Sequence, residues 1–156
     1  EKVYAKVLSD KNSPFLKSII INKGSNHGIN LGAVIKDKEY LVGKVVEVNY
    51  TTSRVLLLSD INSKIPVLIE PRGILSILSG SGSNDGVIQY SKKENIIDNN
   101  SIIYTSGVGS LFKAGIPIGK IKKNNEKSLD DKVNFFSDFS QLKFVEVLSF
   151  EKKDIK

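Results

Sequence analysis

The chain has 156 residues, a formal net charge of +6, 40% hydrophobic residues and no cysteine, methionine or tryptophan. Lack of cysteine excludes disulfides and cysteine-ligated metals. The length and apolar content allow one domain, or two small ones sharing an interface, with a real core, and exclude global disorder. The apolar residues are mainly Ile, Val, Leu and Phe, a β-branched bias that favours sheet over helix. The positive charge is shared evenly between residues 1–70 and 71–156. Nucleic-acid binding usually needs it concentrated on one face. No run approaches membrane-spanning length and no signal peptide opens the chain. Without an initiator methionine, the sequence reads as a piece cut from something longer.

In chain order, Val3, Ala5 and Val7 alternate with Lys2, Tyr4 and Lys6, as in a half-buried strand. Ser9–Pro14 is a turn region, and Phe15-Leu16 leads into the short apolar strand Ile19–Ile21. A structured loop follows, with Gly24, His27, Gly28 and Gly32. Ala33–Ile35 and Tyr40–Val48 form a hairpin across the polar turn Lys36–Glu39. Ser53–Leu58 reads as a buried strand, and Lys64–Ile69 as another. Pro66 argues for an edge position or a bulge there, because proline cannot donate to a ladder. Glu70-Pro71-Arg72-Gly73 is the best boundary. Beyond it come strands at Gly73–Leu78, Val87–Tyr90, Ile102–Tyr104, Lys132–Phe136 and Lys143–Phe150. Residues 122–131 read as a polar hairpin. No segment shows the sustained 3.6-residue periodicity of a helix.

The most constrained stretch is Thr105–Ile121, which holds Gly107, Gly109, Gly115, Pro117 and Gly119. It reads as a strand, a tight bend at Gly107 and Gly109, a loop, and a returning strand where Gly119 relieves crowding. Its echo is Gly32–Val46, with Gly43 in the place of Gly119. A second echo relates Arg54–Ile65 to Lys132–Lys143, each with a Ser-Asp pair, Ser59-Asp60 and Ser137-Asp138. Both aspartates are expected to accept backbone N–H groups in a turn. The chain therefore reads as all-β: two small six-stranded β-barrel domains in tandem from a duplication, at 1–70 and 71–150, with a polar tail at 151–156.

Chemical motifs are few. His27 is the only histidine and reads as an exposed loop residue. Ser110-x-x-Lys113 and Ser140-x-x-Lys143 have a serine–lysine spacing that arises easily by chance. No Gly-x-Ser-x-Gly elbow, P-loop or dinucleotide fingerprint is present. The composition implies no cofactor. Phe112, Phe139 and Phe144 are candidates for exposed contacts, with core packing as the default. Apolar residues beside polar turns nominate Phe15, Tyr40, Leu41 and Tyr50 as a partner patch on the first domain. Leu111 and Phe112, at the tip of the longer loop of the second copy, are nominated as further partner contacts.

Several motifs in sequence order resemble the MreC family of rod shape-determining proteins. Ile20–Ile29 resembles its apolar–Asp-Lys-Gly-x-x-x-Gly-Val loop, with Asn22 in the place of the aspartate. Leu41–Val48 matches its Leu-Val-Gly-x-Val strand, and Ser53–Asp60 the Ser-x-Val-x-Leu-Leu-Thr-Asp run. Gly73-Ile74-Leu75 is similar to its Gly-Ile-Leu strand. Thr105–Gly109 and Pro117–Ile121 match its Thr-Ser-Gly-x-Gly … Pro-x-Gly-x-Val element. The resemblance implies a non-catalytic scaffold of cell elongation on the periplasmic or extracellular face of the inner membrane. A single membrane helix and a coiled coil would precede the β region. It implies homodimers and higher assemblies, and work with MreB, MreD, RodA and a class B penicillin-binding transpeptidase in lateral wall synthesis. The alternatives are a two-barrel serine hydrolase using His27, an aspartate and a serine, and a nucleic-acid-binding β-barrel.

Overall fold

The structure, a computed structural model, describes residues 2–8, 15, 17–89, 97–110, 112–123 and 131–148. Among them are twelve strands. They are β1 (Lys2–Leu8), β2 (Ser18–Ile21), β3 (Val34–Asp37), β4 (Tyr40–Val48), β5 (Ser53–Leu57), β6 (Lys64–Glu70), β7 (Ile74–Gly80), β8 (Gly86–Gln89), β9 (Ile102–Thr105), β10 (Pro117–Lys122), β11 (Lys132–Phe135) and β12 (Phe144–Leu148). The helical segments among the described residues are single 3-10 turns at Ser25–His27, Val108–Ser110 and Phe139–Gln141.

The strands close into two six-stranded barrels. One runs β1-β12-β3-β4-β5-β2 and the other β7-β6-β9-β10-β11-β8, each strand antiparallel to its neighbours. Alternation drives this. In β6, Ile65, Val67 and Ile69 point inward while Lys64, Pro66, Leu68 and Glu70 lie on the other face. Burying one such Ile or Val side chain contributes on the order of 1.5–3 kcal/mol, which is how short strands offset their ordering cost. Pro66 lies in an interior strand, not at an edge: it pairs with Ile77 of β7, and its carbonyl accepts the Ser106 amide at 3.3 Å.

The two orders are the same list read twice. β1 to β5 take the places of β7 to β11, strand for strand. The sixth strand of each repeat is exchanged: β6 closes the second barrel and β12 closes the first. The halves expected from the sequence, 1–70 and 71–150, are thus the repeats but not the barrels. Lys64–Glu70 leaves the first domain and Phe144–Leu148 leaves the second. The expected tail at 151–156 lies outside the described residues. Strand periodicity decides which side chains face inward, not which sheet a strand joins. That choice is made at the turns. Ser59–Ser63 carries the chain across, and the Gly82 amide donates to the Ser59 carbonyl at 2.8 Å while the Gly80 amide donates to the Ser63 carbonyl at 3.1 Å. Ser137–Lys143 makes the return crossing.

Each barrel has its own apolar interior. Ala5, Ile21, Ile35, Val45, Val55 and Val147 fill the first. Val67, Ile69, Leu78, Ile103, Ile118, Ile121 and Val133 fill the second, and Val34 and Leu41 of the first barrel join that cluster from across the junction. Phe139, on the return crossing, packs against both. Gly43 on β4 and Gly119 on β10 hold the same place in the two frames. A side chain at Gly43 would run into the Leu56 carbonyl, and one at Gly119 into the Asn134 carbonyl. Each glycine lets a strand press against its neighbour where the ladder shifts register.

Candidate partner interface

The two Ser-Asp turns act alike. Asp60 is fully buried; its Oδ1 accepts the Asn62 amide at 2.7 Å and its Oδ2 accepts the Lys17 amide at 2.8 Å. Asp138 is exposed; its Oδ1 accepts the Ser140 amide at 3.0 Å and the Ser140 hydroxyl at 2.6 Å. The same residue spacing thus accepts the amide two positions on in both turns. The hydroxyl and amide of Ser140 hold the Asp138 carboxyl below its ordinary range.

A cleft of about 610 Å³ opens where the return crossing meets the first barrel, lined by Lys17, Asn84, Asn134, Phe136, Asp138 and Ser140 among others. Its floor is aromatic. Phe135 and Phe139 stack with centroids 4.9 Å apart, and Phe136 lies 5.1 Å from Tyr40. The Ser137 hydroxyl donates to Asp37 Oδ2 at 2.7 Å, tying the crossing to the β3–β4 hairpin.

The sequence-nominated contacts do not form one patch. Leu41 is fully buried in the junction core and Phe112 is buried in the second barrel, so both leave the set of surface candidates. Tyr40 is half-buried at one end of β4, and Tyr50 is 72% exposed in the turn beyond its other end. Nine residues of strand at roughly 3.3 Å each keep Tyr40 and Tyr50 apart. Phe15 is half-buried beside the first barrel. Leu111 lies outside the described residues. Of the other phenylalanines, Phe144 is 64% exposed and Phe139 half-buried.

The glycine and proline motif residues sit where the local chemistry needs them. Gly107 and Gly109 both have positive φ, 76° and 75°, and turn the chain out of β9. Thr105 then receives the returning chain: its Oγ1 accepts the Ile116 amide at 2.9 Å just before Pro117 opens β10. Gly24 packs against the Asn49–Thr52 turn, and Gly28 ends the 3-10 turn Ser25–His27. His27 is exposed, and its Nδ1 accepts the Gly24 amide at 3.5 Å instead of a serine hydroxyl. Among the described residues no group of three or more His, Asp or Glu side chains is placed to hold a metal ion. Nor is any described helix long and apolar enough to cross a membrane. Lys123 lies 4.0 Å from Asp131.

The sequence leaves strand exchange between the halves open, with Val3–Leu8 able to complete either barrel; the structure keeps that strand in the first barrel and exchanges β6 and β12. The outward apolar residues of β6, β7 and β9 are not singled out by the sequence reading. The signal was present as runs with little polar alternation: Ile65–Ile69, Ile74–Leu78 and Ile102–Tyr104.

Comparison with known proteins meets this fold directly. The family model described as "Rod shape-determining protein MreC, barrel core" matches residues 7–149. The cell shape-determining protein MreC of Cereibacter sphaeroides is 34% identical over 142 residues, covering 91% of this chain and 47% of that protein. MreC of Escherichia coli strain K12 is 30% identical over 122 residues, covering 78% of this chain and 33% of that protein. The chain thus spans less than half the length of these relatives. The crystal structure of MreC from Pseudomonas aeruginosa superposes with a TM-score of 0.86 at 27% identity, covering 96% of this chain and 99% of that one. A complex between penicillin-binding protein PBP2 and MreC from Helicobacter pylori contains the same fold, with a TM-score of 0.69 at 15% identity. With the motifs, the barrels and these matches in agreement, the chain belongs to the MreC family of rod shape-determining proteins.

Proposed function

We propose that this chain is the partner-binding region of a non-catalytic scaffold that organises lateral peptidoglycan synthesis. Its direct partner is a class B penicillin-binding transpeptidase. MreB, MreD and RodA belong to the same elongation complex, and the chain self-associates as a homodimer. In the intact protein the barrels stand on the periplasmic or extracellular side, held by a single membrane helix outside this sequence. The supporting observation is the strand exchange. The exchange of β6 and β12 ties the barrels into one platform, and because both ladders close, a partner meets side-chain faces and, among the described residues, not a free strand edge. The MreC of the H. pylori complex shares this fold.

Binding between the purified chain and the purified extracytoplasmic part of the transpeptidase from the same cell tests the reading. Saturable binding of the two pure proteins is expected. Its absence across the micromolar range, with both proteins folded, would overturn it.

A further inference from the structure

The duplication supplies an internal control. Matching the barrels through Gly43 and Gly119 makes β1, β12 and β3 equivalent to β7, β6 and β9. One outward row in the first barrel runs Tyr4–Glu146–Lys36 across paired strands. The equivalent row in the second barrel runs Leu75–Leu68–Tyr104 and continues to Pro117. The next row is Lys6–Phe144 in the first barrel and Ile77–Pro66 in the second. At two of the five equivalent positions both frames are apolar, Tyr4 and Phe144 against Leu75 and Pro66; at the other three one frame carries lysine, glutamate and lysine where the other carries isoleucine, leucine and tyrosine. Packing inside the barrel cannot explain the difference, because these side chains point away from it. Leu75 is 60% exposed and Val108 53% exposed, and with Pro66 and Ile77 they line a shallow apolar depression of about 280 Å³. Apolar side chains gathered on an outward face are what interaction sites are built from.

We infer that this outward face of β7-β6-β9-β10 is the docking surface for the penicillin-binding transpeptidase, an assignment that rests on the function proposed above. The charge around the patch selects a different chain over a second copy. Lys64 extends the Pro66 column, Lys120 pairs with Ile102 in the row on the other side of Leu68 and Tyr104, and Lys113 stands exposed on the loop beyond β9. Glu70 is the acid beside Ile102, and Arg72 is engaged by Asp98 at 2.8 Å. Two copies meeting through this face would set lysine rims against each other. The fitting occupant has an apolar centre and a carboxylate rim.

The test compares equivalent positions in the two barrels. Leu75→Lys and Tyr4→Lys change exposed residues at matching places. Each variant is titrated against the purified extracytoplasmic transpeptidase, with thermal melts to verify folding. Leu75→Lys is expected to weaken binding by about tenfold or more while Tyr4→Lys leaves it nearly unchanged. A photo-crosslinking residue at position 75, which does not depend on the charge change, should capture the transpeptidase, and one at position 4 should not. Unchanged affinity for Leu75→Lys with crosslinks from position 4 overturns the face and leaves the function standing. No binding by the unaltered chain overturns both. If Leu75→Lys only dissolves a dimer in sedimentation, a second copy is the occupant and the assignment fails.

Discussion

Ser137 and Asp37 are one hundred positions apart, and the Ser137 hydroxyl donates a 2.7 Å hydrogen bond to the Asp37 carboxylate. The bond joins the return crossing of one repeat to the hairpin of the other. A hydrogen bond to a charged, partly buried acceptor contributes about 1.5–3 kcal/mol. Ser137→Ala should therefore lower the unfolding free energy by about 1–3 kcal/mol in urea titrations, and a double-mutant cycle with Asp37→Asn should show coupling. Strictly additive losses would mean that the contact carries no energy of its own.

Gly43 and Gly119 should behave as a matched pair. A methyl group at either meets a neighbouring backbone carbonyl that has no room to retreat. Gly43→Ala and Gly119→Ala are each expected to cost about 1–3 kcal/mol or more, read as a drop in melting temperature. Serine at position 119 should be no better than alanine, since both carry a Cβ.

Strand exchange makes a prediction about cleavage. A protease site placed in the turn at 71–73 separates the repeats but leaves each holding a strand of the other's barrel. The two fragments should stay together on size exclusion in native buffer and part only in denaturant. Barrels closed by their own six strands would separate after such a cut.

Asp138 makes a prediction about pH. Its pKa is lowered in the fold, first by the Ser140 hydroxyl and then by the Ser140 amide. The folded state therefore favours the charged form. The stabilisation is present above the unfolded pKa and is lost as pH falls through the folded one. By NMR, the Asp138 carboxyl should titrate below the ordinary aspartate value of about 3.9. Ser140→Ala should move that midpoint upward, and an unmoved midpoint would assign the shift elsewhere.

The fold class and most strands were legible in the sequence because Val3, Ala5 and Val7, or Ile65, Val67 and Ile69, alternate cleanly, and alternation is a local property. The Ser-Asp turns were legible for the same reason: Asp60 and Asp138 each act on an amide two residues away. The barrel to which Lys64–Glu70 belongs was not legible. One partner, Ile74–Gly80, follows directly across the turn at 71–73, but the other, Ile102–Thr105, is distant in sequence, and both differ little in composition from strands of the other barrel. Leu41 and Phe112 misled because an apolar residue beside a polar turn looks the same whether it plugs a barrel end or faces solvent. The outward row at Leu68, Leu75 and Tyr104 became visible only when pairing gave it equivalents in Glu146, Tyr4 and Lys36.

The exchange also changes what the chain is as a topological object. β1 and β12 lie side by side in one barrel, with Lys2 opposite Leu148. The first and last described strands are thus neighbours, and the course of the backbone is nearly a ring with one break. A circular permutant with its ends at 71–73 and a short linker from Leu148 to Lys2 would present the repeats in reverse order and still rebuild both barrels.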